Sequence, residues 1–118
     1  MLAHKFMLCS ELPEEINSSK DFDRDKMLII SDDFVLKNFD LIKKVKMYNP
    51  ALKEDILGLE YHGITIIDNN AAQHLKNELE TYCVGKLSMK RGGVDAINLV
   101  NLLSVALKEK KYVIHFGI

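Results

Sequence analysis

The spacing of apolar residues changes along the chain, and each change marks an element. Over residues 2–9, Leu2, His4, Phe6 and Leu8 alternate with Ala3, Lys5, Met7 and Cys9, the two-residue period of a strand. Met27 to Ile30 is a short, wholly apolar run that predicts a buried strand. Between them, residues 10–25 are polar and acidic and read mainly as loop, with room for a helical turn after Pro13. Val35, Phe39, Ile42 and Val45 then stand at helical spacing. Asp32 or Asp33 would cap that helix, because a carboxylate accepts the free N–H groups of a first turn. Asn49-Pro50 reads as a stop and a restart, with Asn as cap and Pro at the first helical position. Leu52, Ile56 and Leu57 therefore predict a short second helix closed near Gly58.

Tyr61 to Ile67 is the clearest strand, rich in β-branched residues at its end. Asp68-Asn69-Asn70 ends it and supplies a cap; Asn70 with Gln73 resembles a capping box. Ala71, Leu75, Leu79 and Tyr82 form the stripe of the next helix. A loop over 84–93 leads to a helix from Val94 to Glu109. That helix is apolar around most of its circumference, which predicts burial on several sides at the centre of the core. Residues 112–118 form a terminal strand with Tyr112, Ile114, Phe116 and Ile118 on one face. The order is β-β-α-α-β-α-α-β, an α+β class with α and β elements mixed along the chain. The expected architecture is a small mixed sheet of about four strands covered by about four helices. The strands at 61–67 and 112–118 are placed to pair antiparallel.

The chain has 118 residues, 47% hydrophobic and 28% charged, which fits one globular domain spanning 1–118. A formal charge of -1 argues against a dedicated nucleic-acid binder, which carries a basic excess. No apolar run approaches the roughly 18 residues of a membrane span, and His4 and Lys5 interrupt any signal-like start. Cys9 and Cys83 are too few for a disulfide scaffold. The expectation is a cytoplasmic protein with reduced thiols and no membrane or direct nucleic-acid partner.

Candidate chemistry is sparse. Asp21-Phe-Asp-Arg-Asp25 starts like a calcium loop, but Lys26 stands where the sharp turn needs Gly, and Asp32 where a bidentate Glu belongs. His4, His62, His74 and His115 show no metal-ligand spacing and read as hydrogen-bonded or surface histidines. An enzyme would recruit Cys83 or Ser88 with His62 or His115, or, for chemistry at phosphates, Tyr61, His62 and Lys90. No nucleophile elbow accompanies them. The loop Lys86 to Gly93 opens onto a helix N-terminus but lacks the spacing of a phosphate-binding loop. The sequence therefore assigns no catalytic residue, cofactor or metal.

Charge is distributed unevenly. Residues 11–33 hold eight acidic and three basic residues, a local charge of -5, while the remainder carries nine acidic and thirteen basic, or +4. A solvated loop explains such a run, and so does a docking surface for a basic partner, since opposite potentials orient association. The docking alternative names Glu14, Glu15, Asp21, Asp23, Asp25, Asp32 and Asp33 as partner-binding residues.

The segment Gly58-Leu-Glu-Tyr-His-Gly-Ile-Thr-Ile-Ile67 followed by a helix, and the ending Leu102-Leu103…Ala106…Lys111-Tyr-Val-Ile-His-Phe-Gly-Ile118, carry a resemblance across roughly residues 56–118. Together they resemble small α/β immunity proteins of bacterial contact-dependent growth inhibition and related polymorphic toxin systems. The resemblance implies a cytoplasmic protein that binds and blocks the C-terminal domain of a cognate toxin, often a nuclease. Its motifs are structural, so it assigns no site residue by position. The readings of a different class are a small hydrolase or nuclease using Tyr61, His62 and His115, and a non-catalytic scaffold subunit.

Overall fold

Among the described residues, six strands form one sheet in the order β2-β1-β6-β5-β3-β4, and every neighbouring pair is antiparallel. The strands are β1 (Ala3–Cys9), β2 (Leu28–Ser31), β3 (Lys46–Asn49), β4 (Glu54–Leu57), β5 (Ile64–Ile67) and β6 (Tyr112–Phe116). The helices are α1 (Asp32–Lys37), α2 (Phe39–Ile42), α3 (Asn69–Leu79) and α4 (Gly93–Glu109). This computed structural model describes residues 2–12, 26–84 and 93–118. The turn expected after Pro13 and the loop residues Lys86, Ser88 and Lys90 lie outside the described residues. The α+β class holds, but the sheet has six strands where about four were expected, and it is antiparallel throughout where a mixed sheet was expected.

Of the extra strands, β4 falls in the segment read as a second helix and β3 just before it. Asn49 does act as a cap: its Oδ1 accepts from the N–H groups of Ala51 and Leu52 at 2.9 and 3.1 Å. The turn goes no further, because Lys53 adopts a left-handed backbone (φ 55°) and the chain reverses into β4. Met47 then lies opposite Ile56 on the helix-covered face, so Ile56 of the expected helix stripe serves a hairpin, while Leu52 and Leu57 of that stripe are exposed. At the end of β4, Gly58 (φ 83°) brings the chain against the Lys43 backbone, where an added Cβ would sit 2.9 Å from Cα.

Three other expectations change in detail. The helix after Ile30 is capped by Ser31, whose Oγ accepts from Phe34 N–H, with Asp32 and Asp33 in the first turn. It breaks at buried Asn38, whose side-chain amide donates to Phe34 O at 2.9 Å, giving α1 and α2. Asp68, and not Asn70, caps α3 by accepting from Ala71 N–H at 2.8 Å. A π-helical turn over Glu80–Val84 follows α3 and turns Tyr82 outward, so that Cys83 continues the buried row of Ala71, Leu75 and Leu79.

The main core lies between the sheet and its helices and includes Phe6, Ile30, Ile67, Leu75, Leu99, Leu103 and Val113. Met7, Ile66, Ile114 and Phe116 form a second buried cluster on the other face of the central strands. Helix α4 buries one stripe only: Ala96, Leu99, Leu103 and Ala106 face inward, while Val94, Ile97 and Val105 are exposed. The expected burial on several sides is therefore corrected. Asp95 anchors its first turn by accepting from Ser31 N–H and Oγ at 3.2 and 2.7 Å.

The end of β6 passes under the turn before β5. Gly117 N–H donates to Gly63 O and Ile118 N–H to Tyr61 O, at 2.8 and 2.9 Å. A Cβ on Gly117 would collide with the Tyr61 carbonyl oxygen, which cannot rotate away. Gly117→Ala should destabilise the protein by more than about 1 kcal/mol and speed hydrogen exchange at the Ile118 amide; unchanged exchange would show that the crossing opens without cost. Leu103→Ala should cost on the order of 2–5 kcal/mol in urea melts, because the residue is fully buried. Ile97→Ala, on the exposed side of α4, should change stability by on the order of 0.5 kcal/mol. Equal losses for the two would mean that both faces of α4 are packed.

Candidate functional site

Strand alternation puts His4 beside Phe6 on the helix-covered face of β1, and His115 beside Val113 on the same face of β6. The register sets Phe6 opposite His115, so His4 and His115 are diagonal neighbours across adjacent strands. Both are fully buried. His4 Nδ1 lies 2.8 Å from His115 Nε2, with ring planes 20° apart. Each ring then meets a further polar group. His4 Nε2 is 3.1 Å from Asp32 Oδ1, and His115 Nδ1 is 3.2 Å from Thr65 Oγ1. The Tyr61 hydroxyl donates to the same Asp32 oxygen at 2.6 Å, and Glu60 N–H donates to Thr65 Oγ1 at 2.8 Å.

Local structure dictates each position. Ser31 caps α1 and leaves Asp32 at its first residue, where the helix dipole favours a carboxylate. Thr65 follows Ile64 into β5 and lies directly opposite His115. Tyr61 sits in the turn held by the C-terminal crossing, with its ring 5.3 Å from that of His4.

The protonation pattern follows from the ends of the chain. The Tyr61 hydroxyl, with His4 behind it, holds the Asp32 carboxyl below its usual range against the opposing effect of burial. The same bond, aided by burial, pushes the Tyr61 phenol up. Asp32 is thus an anion and accepts from His4 Nε2–H. When both rings are neutral, His4 Nδ1 carries a lone pair and accepts from His115 Nε2–H. His115 Nδ1 accepts from the Thr65 hydroxyl, whose oxygen accepts from Glu60 N–H. Every buried polar atom in this chain is satisfied with both rings neutral. Burial, reinforced by the neighbouring His4, pushes His115 down to about 3.

The candidates named from the sequence are scattered. Of the proposed trio, His115 is sealed in the interior and Tyr61 is bonded to Asp32. His62 is on the surface, with Nδ1 3.2 Å from Ile118 O. Of the acidic residues, Asp33 is exposed and pairs with Lys37 at 3.0 Å, whereas Asp32 is turned inward onto His4. Glu14, Glu15, Asp21, Asp23 and Asp25 lie outside the described residues. His74 lies 3.6 Å from Glu78 on α3. It also borders a shallow depression of about 320 Å³ with Lys46, Asp55 and Asp68, next to one of about 250 Å³ lined by Asn69, Lys110, Lys111 and Tyr112. Neither depression reaches the histidine pair. Among the described residues no three His, Cys, Asp or Glu side chains gather as a metal site, and no helix is long and apolar enough to cross a membrane.

Sequence reasoning did not join His4 to His115. The available signal was a histidine on the apolar face of each of two strands, 111 residues apart.

Stability should fall as pH drops. His115 takes up a proton near its usual value of 6.5 when unfolded but only near 3 when folded. Its contribution is therefore complete above about pH 6.5 and lost progressively toward pH 3. Asp32 acts in the same direction at lower pH: its contribution is present above 3.8 and lost as pH falls through its lowered value. Urea melts should show a loss of about 2 kcal/mol between about pH 7 and pH 5, at most about 1.4 kcal/mol per unit for one proton. A flat or rising profile over that range would contradict the buried neutral state. Compared with known protein families, curated proteins and solved structures, the chain matches none of them.

Proposed function

We propose that the chain is a binding protein that neutralises a cognate toxin domain by covering a basic, substrate-binding surface. The observation that carries this reading is where the reactive side chains go. The groups best suited to acid–base chemistry, His4, His115, Asp32 and Tyr61, are engaged with one another, and both histidines are sealed inside. That favours a binding role over hydrolysis by Tyr61, His62 and His115, which would need His115 to reach a substrate. The uneven charge supports the choice of partner: -5 over residues 11–33 suits a nuclease domain, which holds phosphate backbones on a basic surface. The resemblance of residues 56–118 to immunity proteins supports the same reading, with a cytoplasmic site of action.

In this reading the docking charge comes from Glu14, Glu15, Asp21, Asp23, Asp25 and Asp33. Asp32, committed to His4 and Tyr61, contributes to the fold. The decisive experiment co-expresses the chain with the toxin domain encoded beside it and measures protection and binding. Asp21, Asp23 and Asp25 changed together to Asn should slow association by about tenfold at low ionic strength, with less effect at high salt. An unchanged rate at both salts would remove the acidic segment from the interface. Failure of the unaltered protein to bind or protect would remove the immunity reading.

A further inference from the structure

The hydrogen-bond chain from Thr65 to Asp32 has a direction, and that direction depends on how many protons the two rings hold. With both rings neutral, the donors run Thr65 to His115 to His4 to Asp32. We propose that His4 and His115 form a one-proton device: uptake of a single proton charges His4 and reverses the hydrogen bonds between the rings and Thr65, with neither ring moving.

The neutral pair carries two N–H groups, on His4 Nε2 and His115 Nε2. After uptake it carries three, on His4 Nδ1 and Nε2 and on His115 Nδ1. The proton between the rings passes from His115 Nε2 to His4 Nδ1, and the proton from water ends on His115 Nδ1. The charge settles on His4 because the Asp32 carboxylate is 3.1 Å from it, whereas His115 has only neutral Thr65 beyond it. A second proton, the one that would charge His115, is held off to about pH 3. It would place two N–H groups and two like charges face to face across 2.8 Å.

Among the described residues, the other charged groups nearby are engaged elsewhere. From α1, Asp33 points out to Lys37. From α4, Asp95 is occupied by Ser31. In the turn before β5, Glu60 accepts from Asn49, and His62 lies against Ile118 O. Lys5 lies on the other face of β1 by strand alternation. Tyr61 keeps its proton and strengthens the Asp32 anion.

Reversal has a structural consequence at Thr65. Its hydroxyl hydrogen points to His115 Nδ1 in the neutral state and loses that acceptor once Nδ1 is protonated. Thr65 is fully buried and also holds Glu60 N–H, at the start of the turn whose Tyr61 and Gly63 carbonyls grip residues 117 and 118. The charged state thus loosens the C-terminal crossing, and acid is transmitted from the ring pair to the end of β6.

The test is imidazole nitrogen NMR on the unaltered protein, from about pH 8 down to acid unfolding. Both rings should be neutral with hydrogen on Nε2 at high pH. As pH falls, His4 should gain Nδ1–H and His115 should move its hydrogen to Nδ1 at one shared midpoint, while amide exchange at Gly117 and Ile118 accelerates. Separate midpoints for the first proton, two charged rings in the folded protein well above pH 3, or His115 keeping Nε2–H until unfolding would each overturn the proposal. In Asp32→Asn the shared midpoint should fall by at least about one pH unit, a tenfold weaker hold on the proton. An unmoved midpoint would overturn the role given to the carboxylate.

Discussion

A buried imidazole has two nitrogens to satisfy, and burying two such rings in contact fixes what must surround them. One nitrogen on each ring is used up by the other ring. The remaining two demand an acceptor on one side and a group able to donate on the other. Asp32 and Thr65 meet those demands only if the start of α1 and the second residue of β5 converge on the β1–β6 pair. Leaving either ring unmatched would expose a buried polar atom to its full desolvation penalty, about 1–3 kcal/mol. The helix cap at Ser31, the turn at 60–63 and the register of the three central strands are tied to one polar contact in this way.

Much of the secondary structure was legible because its signals are local. The alternation over residues 2–9, the β-branched run ending at Ile67 and the long apolar helix all reappear close to their expected places. Residues 50–57 misled because Leu52, Ile56, Leu57 and the Asn49 cap satisfy a helix template, and the left-handed Lys53 is what breaks it. The apolar girth of α4 overstated its burial, since composition does not show which side faces the sheet. The polar centre was hidden for a different reason. His4 and His115 read individually as ordinary histidines, and their meaning lies in a register that links distant segments.

The acidic run and the histidine pair draw on different parts of the sequence. The acidic charge lies in the N-terminal third of the sequence, while the histidine pair is buried. Asp32 is the residue at which the two regions meet. It belongs by position to the acidic run, yet its contacts are with His4 and Tyr61. Counting charge along a sequence therefore overstates the charge available to a partner by at least this one group.

Strand β6 lies between β1 and β5, and it follows every other strand in chain order. Before it is in place, the sheet exists only as two fragments, β2-β1 and β5-β3-β4. The β3–β4 hairpin closes over a few residues, but joining the fragments requires contacts more than a hundred residues apart. Such distant pairing slows folding, because chain ends must meet before their contacts contribute. During that interval the inner edges of β1 and β5 stand open, each able to pair with a strand from another chain. The arrival of β6 thus divides a period of aggregation risk from a closed sheet.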